Sequence, residues 1–396
     1  MVWTASPAWD QEHPPRHQEG HNISQRSTPT ETPMSIYLAP SRTVRIARGR
    51  DAAREIEELA GFIDARSGAF TTSSSWLAAA ARWLPGEPVV LSAWADAAPV
   101  ALAALTVTTR AGVPQLSFLG GEFNDYSAFY YDDRAGAELL AATLEAWVLQ
   151  HRFWALALDQ VRPEDAVLAA LAARLPGAIV EDGPLMPRIE GLKDGYRIGK
   201  NRRQQLNNAT NRLTCDGCHW EQVVVSDVVA LERWLPRLIE VRRERDHGCG
   251  RRSHLDDPAA RSFYGAVLRD GVARGRAVVN MLVVDGEVGG YAAVMIDGDT
   301  HRLFDGRVAE RLQRYKGGVV ADLMAVSHAI EAPGVTTFDW LRGESPVKFG
   351  NAEIRNVQLR AVSHPAIRSI ENARTATRRR VREVLPESVV RRLTER

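Results

Sequence analysis

Runs of apolar residues separated by turn-forming pairs predict three consecutive strands in the second half of the chain. Ala277–Val284 is almost continuously apolar, and the segments 288–296 and 300–304 follow it. The three segments are separated by Asp285-Gly286 and Asp297-Gly298. Asp-Gly pairs between apolar runs favour tight hairpins, because these turns require positive φ.

A helix and a further strand come next. Apolar residues recur at helical spacing over 319–330, Pro333-Gly334 ends the helix, and 335–341 is predicted as a strand. A helix between two strands of one sheet points its N-terminus at the strand ends, and glycines there let an anion approach free N–H groups. The segment therefore predicts a pyrophosphate cradle formed by Tyr315, Lys316, Gly317, Gly318 and Val319. The alternative is an ordinary crossover helix with a loose approach.

The first half repeats the same order of elements: strand, helix, helix, three strands, helix, strand. Helices are predicted over 51–65, 75–84, 135–149 and 164–173, and strands over 89–94, 100–109, 115–119 and 153–158. The second half opens with a strand over 220–225 and helices over 227–245 and 257–273. Duplication of one α/β unit is the simplest account. In the first half, the segment 120–131 replaces the compact glycine turn with a long aromatic run that suits a pyrophosphate less.

Composition is typical of a soluble, globular chain of two or three domains. The chain has 396 residues, a formal charge of +1 and 45% hydrophobic residues. Its apolar runs fall short of the ~20 residues that span a bilayer, and its first residues lack a secretory layout, so the cytoplasm is the expected location. Residues 1–40 are predicted to be a disordered leader, and whether 1–33 belong to the native product stays open.

Three cysteines raise the question of a metal or haem site. Cys215 and Cys218 with His219 match the haem c attachment pattern, and Cys249 with His247 or His254 would complete a zinc site. Haem attachment requires export, and a turn is expected at the residues between Cys215 and Cys218. Free thiols without a metal are therefore the prediction.

Two basic segments attract phosphate-bearing ligands. The first, 197–212, is a candidate contact for CoA phosphate, tRNA or a lipid-linked sugar diphosphate, and the second, 368–396, is predicted to be helical. A solvated helix face and a docking tail that makes peripheral contacts are the alternatives. The near-neutral total charge argues against a dedicated nucleic-acid-binding protein.

Several short strings between residues 70 and 360 occur in an order that resembles a known family. They are Phe118-Leu119-Gly120, Asp125-Tyr126, the basic helix 200–212, Phe304-Asp305, Gly317-Gly318, Phe338-Asp339-Trp340-Leu341-Arg342-Gly343 and Lys348. Together they resemble the CelD-type branch of the GNAT acetyltransferases, which is similar to the Fem aminoacyl-tRNA-dependent transferases. Tyr315-Lys316-Gly317-Gly318 stands where that branch usually has Ser-Pro-Gly, and Val347-Lys348 where it has Tyr-Lys.

The resemblance implies an α/β fold of two tandem GNAT-like units, each a mixed, mostly antiparallel sheet flanked by helices. The expected divisions are a leader at 1–40, an N-terminal unit at 41–195, a catalytic unit at 196–362 and a basic helical tail at 363–396. It also implies acetyl-CoA or another acyl-CoA as co-substrate, with no metal.

Acyl transfer from a thioester needs a base for the acceptor proton and donors for the developing oxyanion. Asp339 and then Asp305 are the predicted bases, since both lie on strands beside the crevice, and Tyr315 is a candidate acid for the leaving thiolate. The alternatives are turn-capping or ion-paired aspartates and a tyrosine that only packs.

The acceptor side of the crevice has its own candidates. Lys348 is predicted to bind a substrate carboxylate or phosphate, and Asp125 and Tyr126 are predicted to face the acceptor. The alternatives are a solvated lysine and an interface between the two halves.

The predicted function is acyl-CoA-dependent N- or O-acylation of a sugar, polysaccharide precursor or small metabolite by direct attack. One alternative uses aminoacyl-tRNA and makes an amide, and another is a non-catalytic protein that binds a nucleotide-sugar or an assembly partner. The chain has no Walker A loop, dinucleotide fingerprint or nucleophile elbow, which disfavours kinases, dehydrogenases and serine hydrolases.

Overall fold

The computed structural model describes residues 42–110, 112–342 and 349–369. The first half contains β1 (Arg42–Arg48), α1 (Arg50–Glu58), α2 (Ala60–Asp64), α3 (Ser74–Trp83), β2 (Glu87–Ala95), β3 (Ala98–Arg110), β4 (Val113–Phe118), β5 (Tyr130–Tyr131), α4 (Arg134–Leu149), β6 (Ala155–Val161), α5 (Ala166–Arg174) and β7 (Ile179–Ile189). The second half contains α6 (Lys200–Cys215), β8 (Trp220–Val225), α7 (Val228–Gly248), α8 (Pro258–Ala273), β9 (Ala277–Val284), β10 (Glu287–Asp297), β11 (Thr300–Val308), α9 (Gly317–Glu331), β12 (Thr337–Asp339) and β13 (Ala352–Val362). The predicted leader and most of the predicted tail lie outside the described residues.

One sheet of thirteen strands runs through both halves. Its order is β1-β2-β3-β4-β6-β13-β7-β12-β11-β10-β9-β8, with β5 paired to β3. Strand β13 returns from the end of the second half and lies between β6 and β7, antiparallel to both. The predicted α/β fold with a repeated unit is confirmed. The expected division at 195/196 falls after β7, yet β7 pairs with β12 across it, so the two halves share one sheet.

Turn chemistry explains the hairpins β9–β10 and β10–β11. Asp285 (φ 54°) and Gly286 (φ 81°) both adopt positive φ, which agrees with the predicted hairpin. The next turn lies one residue later than predicted, because Asp297 still pairs with Thr300 in the ladder. Its positive-φ residue is Gly298 (φ 60°).

The core forms on both faces of the sheet because side chains alternate along each strand. Met281 and Val283 of β9 pack with α7 and α8, whereas Leu282 and Val284 pack with α6 and α9. The first face also joins the two halves through edge-to-face aromatic contacts. Their ring-centroid distances are 4.8 Å for Trp76–Phe263 and 5.5 Å for Phe70–Phe304, and Phe70 also contacts Trp76 within the first half at 5.3 Å.

Helix α9 lies unusually close to β10. A Cβ added to Gly290 would lie 2.8 Å from the carbonyl oxygen of Gly317, and one added to Gly317 would lie 3.1 Å from Val308 Cγ2. Both glycines are therefore required by the close approach of helix and strand.

We expect Gly290→Ala to lower the free energy of unfolding by about 1–3 kcal/mol, because the helix must shift to admit the methyl group. The matched control is Gly61→Ala, since a Cβ at Gly61 in α2 meets no atom within 4 Å. That control should be neutral or stabilising. Denaturant titration of both variants measures the difference, and equal stability would show that the close approach is not a constraint.

Candidate active site

Strands β11 and β12 run together only briefly before a cleft opens beside them. They pair in parallel through Thr300–Thr337, His301–Phe338 and Arg302–Asp339. Strand β12 ends at Asp339, whereas β11 continues to Val308 alongside β10. The edge of β11 beyond Arg302 consequently borders the cleft.

The first part of the cleft is a cavity of about 630 Å³ between α7, β11 and the start of α9. Its lining includes four basic side chains and the first turn of α9: Arg245, Arg251, Arg307, Lys316, Gly318 and Val319. Lys316 has φ 55°, and this left-handed conformation turns the chain into the helix. The first N–H groups of a helix have no intrahelical acceptor and favour anions, so the cavity suits a phosphate group.

The predicted cradle residues divide into two groups. Lys316, Gly318 and Val319 line the cavity, whereas Gly317 packs against β10. Tyr315 is buried in a cluster with Leu213 and Val320, and its hydroxyl donates to Asp216 Oδ2 at 2.5 Å. This hydrogen bond raises the pKa of Tyr315 to about 12. The tyrosine is thus placed for packing beside the cradle, and its role as an acid stays a prediction.

A second cavity of about 420 Å³ adjoins the first and shares Gly306, Arg307 and Asp322 with it. Aromatic side chains, among them Phe304 and Trp340, form part of its wall. We refer to the two adjoining cavities together as the cleft, with a cationic part at α9 and an aromatic part that residues of the first half also line.

Asp305 lines this aromatic part, and both of its carboxylate oxygens have hydrogen-bond or ion-pair partners. Its Oδ2 accepts hydrogen bonds from Tyr264 (3.0 Å) and Tyr291 (2.6 Å), and its Oδ1 lies 2.8 Å from Arg242 Nη1 and 3.3 Å from Arg307 Nη1. Burial alone would raise the pKa of Asp305, but the two arginines and two hydroxyls hold it below its usual range. Asp305 therefore stays ionised and anchors Arg242 and Arg307 in the cleft wall.

Asp339 is fully buried at the junction of the two halves. Its Oδ2 accepts hydrogen bonds from Tyr126 (2.5 Å) and Arg302 Nη1 (2.6 Å), and its Oδ1 accepts one from the Leu341 N–H (2.8 Å). Burial and the neighbouring Asp339 raise the pKa of Tyr126. Neither Asp339 nor Tyr126 lines the two cavities of the cleft. A catalytic role for Asp339 and a substrate contact for Tyr126 remain predictions.

Asp125 lines the aromatic part of the cleft, and its role in acceptor binding stays a prediction. Its Oδ1 lies 2.9 Å from Arg342 Nε, and Arg342 also donates to the carbonyl oxygen of Glu122. Arg342 thereby holds the loop of the first half against the second. The remaining acceptor candidate, Lys348, lies outside the described residues.

The pair Glu122 and His254 was missed as a functional pair by sequence reasoning. Glu122 stands in the segment singled out after β4, and His254 was considered only as a zinc ligand. In the structure Glu122 Oε1 lies 3.2 Å from His254 Nδ1, and both residues line the aromatic cavity. The residues are 132 positions apart (254 − 122), so spacing along the chain carries no signal for this contact.

The corresponding strand pair in the first half ends beside other segments of the chain. Strands β4 and β6 also pair in parallel, through Gln115–Ala155 to Ser117–Ala157. Beside them the Ser127 N–H donates to the Gln160 carbonyl at 2.9 Å, and Asn356 Nδ2 donates to the same oxygen at 3.2 Å. In the first half the end of β6, the strand after the helix, is thus hydrogen-bonded to the segment before β5 and to β13.

Two other expectations concern metal ions and membranes. Over the described ranges, no group of three or more His, Cys, Asp and Glu side chains is arranged to hold a metal ion. His247 Nε2 instead lies 2.8 Å from Asp256 Oδ2, and Cys215 is exposed. Within the same ranges, every helix is too short or too polar to cross a membrane.

Part of the chain matches a known protein family, and its fold matches solved structures. Residues 200–348 match the family described as acetyltransferase (GNAT) domain. No curated protein shows significant sequence similarity to the chain. FemX has the same fold, with a TM-score of 0.53, 11% identity and coverage of 80% of this chain and 98% of FemX.

Two further structures are similar at lower scores. L-PGS from Bacillus licheniformis has a TM-score of 0.48 and 13% identity, and the match covers 77% of this chain and 91% of L-PGS. A tandem GNAT protein from the clavulanic acid biosynthesis pathway has a TM-score of 0.45 and 15% identity, over 82% of this chain and 99% of that protein. The domain match over 200–348 supports an acyltransferase enzyme.

Proposed function

We propose that this chain, whose residues 200–348 match a GNAT acetyltransferase domain, transfers the acyl group of an acyl-CoA directly to an amine or hydroxyl. The observation that carries the proposal is the cleft, in which a cationic cavity at the start of α9 adjoins an aromatic cavity. A thioester held across the boundary between the two parts would meet its acceptor there.

The cationic part suits the phosphates of coenzyme A. Arg245, Arg251 and Lys316 line it together with the first turn of α9, and phosphate favours both Arg and Lys donors and helix N-termini. The edge of β11 next to this cavity offers backbone groups to an extended chain, as in strand addition. The amide-containing arm of coenzyme A fits such an edge.

The aromatic part suits a polar acceptor of low net charge. Three of its carboxylates have basic side chains as partners: Glu122 has His254, Asp125 has Arg342, and Asp305 has Arg242 and Arg307. Paired charges next to aromatic faces favour a sugar or small metabolite over a polyion. The narrower CelD-type assignment, the cytoplasmic location and partner contacts through the tail stay predictions.

An aminoacyl-tRNA donor is the second candidate, and two observations favour it. FemX shares the fold, and α6 carries the basic residues Lys200, Arg203 and Arg212 on its exposed side. The opposite side of α6 packs against α9 through Leu213 and its neighbours. Helix α6 thus lies next to α9 and turns its basic residues to the solvent.

Thermal unfolding with a panel of donors separates the two candidates, because a ligand that binds only the native state raises the midpoint. We expect acetyl-CoA at 100 times its Kd to stabilise the protein by about 2.7 kcal/mol. Longer acyl-CoAs, free CoA and bulk aminoacyl-tRNA complete the panel. A response to aminoacyl-tRNA without one to any CoA would favour the second candidate.

A further inference from the structure

The cleft contains one histidine whose position is fixed on both sides. His254 begins a short 3-10 turn (His254–Asp256) between α7 and α8. Before it, Ser253 Oγ donates to Asp246 Oδ2 at 2.9 Å, and the Ser253 N–H donates to Asp256 Oδ2 at 3.1 Å. These bonds fix the backbone from which the imidazole reaches the aromatic cavity.

The partner of this histidine comes from the other half of the chain. Glu122 lies in the 3-10 turn Gly121–Phe123 after β4, and its Oε1 is 3.2 Å from His254 Nδ1. The Phe123 ring also packs edge-on against the imidazole, with the ring centroids 5.6 Å apart. Arg342 holds this turn through the Glu122 carbonyl oxygen.

This contact selects the tautomer of the imidazole. A carboxylate oxygen only accepts, so a hydrogen bond across the 3.2 Å between His254 Nδ1 and Glu122 Oε1 requires the proton of the neutral ring to be on Nδ1. Nε2 of the neutral ring is then unprotonated and can accept a proton. A histidine oriented by a carboxylate is the arrangement that general-base catalysis requires.

We propose that His254 is the general base of this acyltransferase and that Glu122 is its positioning residue, an inference that rests on the proposed acyl-CoA-dependent function. The acceptor nitrogen or oxygen attacks the thioester carbonyl carbon and forms the new C–N or C–O bond. Its proton passes to His254 Nε2, the C–S bond breaks, and the CoA thiolate leaves with the electron pair. The imidazolium then returns its proton to the thiolate or to water.

The charged groups around His254 set the pH dependence of this step. The hydrogen bond to Glu122 raises the pKa of His254, burial and Arg242 on α7 lower it, and Asp246 on α7 raises it, with a net rise. Only the neutral ring can act as base. The value of kcat/KM should therefore rise with pH through a pKa above the usual ~6.5, and Glu122→Gln should move this limb to lower pH.

The test uses full-length protein, acetyl-CoA and ethanolamine, which carries both an amine and a hydroxyl, with release of the CoA thiol as the readout. We expect His254→Ala to lower kcat about 10²–10⁴-fold while the Kd of acetyl-CoA is unchanged. Because the His254 side chain is 49% exposed, added imidazole should enter the vacated place and restore part of the rate. His151→Ala, a variant in the first half beyond the cleft, should leave the rate as in the wild type.

The outcomes separate this inference from the proposed function. A wild-type protein that binds acetyl-CoA while His254→Ala keeps the full rate would overturn the role of His254 alone. The role of His254 would also be overturned if the wild-type protein bound acetyl-CoA but released no CoA thiol, either by acyl transfer to ethanolamine or by hydrolysis. Failure of the wild-type protein to bind acetyl-CoA would overturn the proposed function itself.

Discussion

Replacing Arg302 by methionine should lower the free energy of unfolding by about 3–5 kcal/mol, the usual cost of breaking a buried ion pair from one side. The Arg302 side chain is 7% exposed, and its Nη1 and Nε lie 2.6 Å from Asp339 and 2.7 Å from Asp297. The variant leaves the Asp339 carboxylate buried without its main cation. Denaturant unfolding followed by tryptophan fluorescence measures the loss.

Two further variants make this prediction specific. In the double variant Arg302→Met/Asp339→Asn the orphaned charge is removed, so it should be more stable than Arg302→Met alone. Arg174→Met is the exposed control, because Arg174 pairs with Glu138 and Glu145 at the surface and should lose at most about 1 kcal/mol. If Arg302→Met and Arg174→Met were equally stable, the buried ion pairs of Arg302 would not contribute to stability as described.

Replacing Gly318 by leucine should abolish most acyl-CoA-dependent activity. A Cβ at Gly318 meets only Val308, at 3.4 Å and 3.6 Å, so the helix start can accept a side chain, which then occupies the cavity that Gly318 lines. Each charge-assisted hydrogen bond to phosphate that is lost costs about 1.5–3 kcal/mol. The expected fall in kcat/KM is at least ~10–150-fold per lost bond.

The matched control is Gly61→Leu, which places the same side chain where a Cβ meets no atom within 4 Å. Both variants should unfold at a midpoint near that of the wild type, and only Gly318→Leu should lose activity. Full activity in Gly318→Leu would contradict the placement of the phosphates at α9.

Local pattern was enough to predict the part of the fold that forms the cleft. Ala277–Val284 is β9 to the residue, and the following hairpins and α9 occur in the predicted order. Their signals are local: continuous apolar runs, Asp-Gly turns and helical spacing. For the same reason the repeated order of elements in the first half was also predicted.

The strands that join the halves were missed for the opposite reason. Strand β7 (Ile179–Ile189) contains Pro184, Pro187 and Gly183, which are typical of loops, and β13 contains the polar residues Arg355, Asn356 and Gln358. These segments become strands because each pairs with neighbours on both sides in the middle of the sheet. Such tertiary pairing overrides local propensity and leaves no local signal.

Tertiary contacts also limit how much of the candidate active site can be predicted from the sequence. Sequence placed Asp305, Asp125, Lys316 and Gly318 in the crevice, and the structure puts them along one cleft. The sequence did not indicate that Arg242, Arg307 and two tyrosines together contact the Asp305 carboxylate, because these four partners come from four separate elements. The contact between Glu122 and His254 likewise depends on how the halves pack.

Calorimetric titration of acetyl-CoA into the wild-type protein tests the central claim most directly. The cationic cavity at the start of α9 predicts one acyl-CoA site per chain. The affinity should be lost in Gly318→Leu and kept in Gly61→Leu. Absence of binding, two sites per chain, or unchanged affinity in Gly318→Leu would contradict a single acyl-CoA cradle at the start of α9.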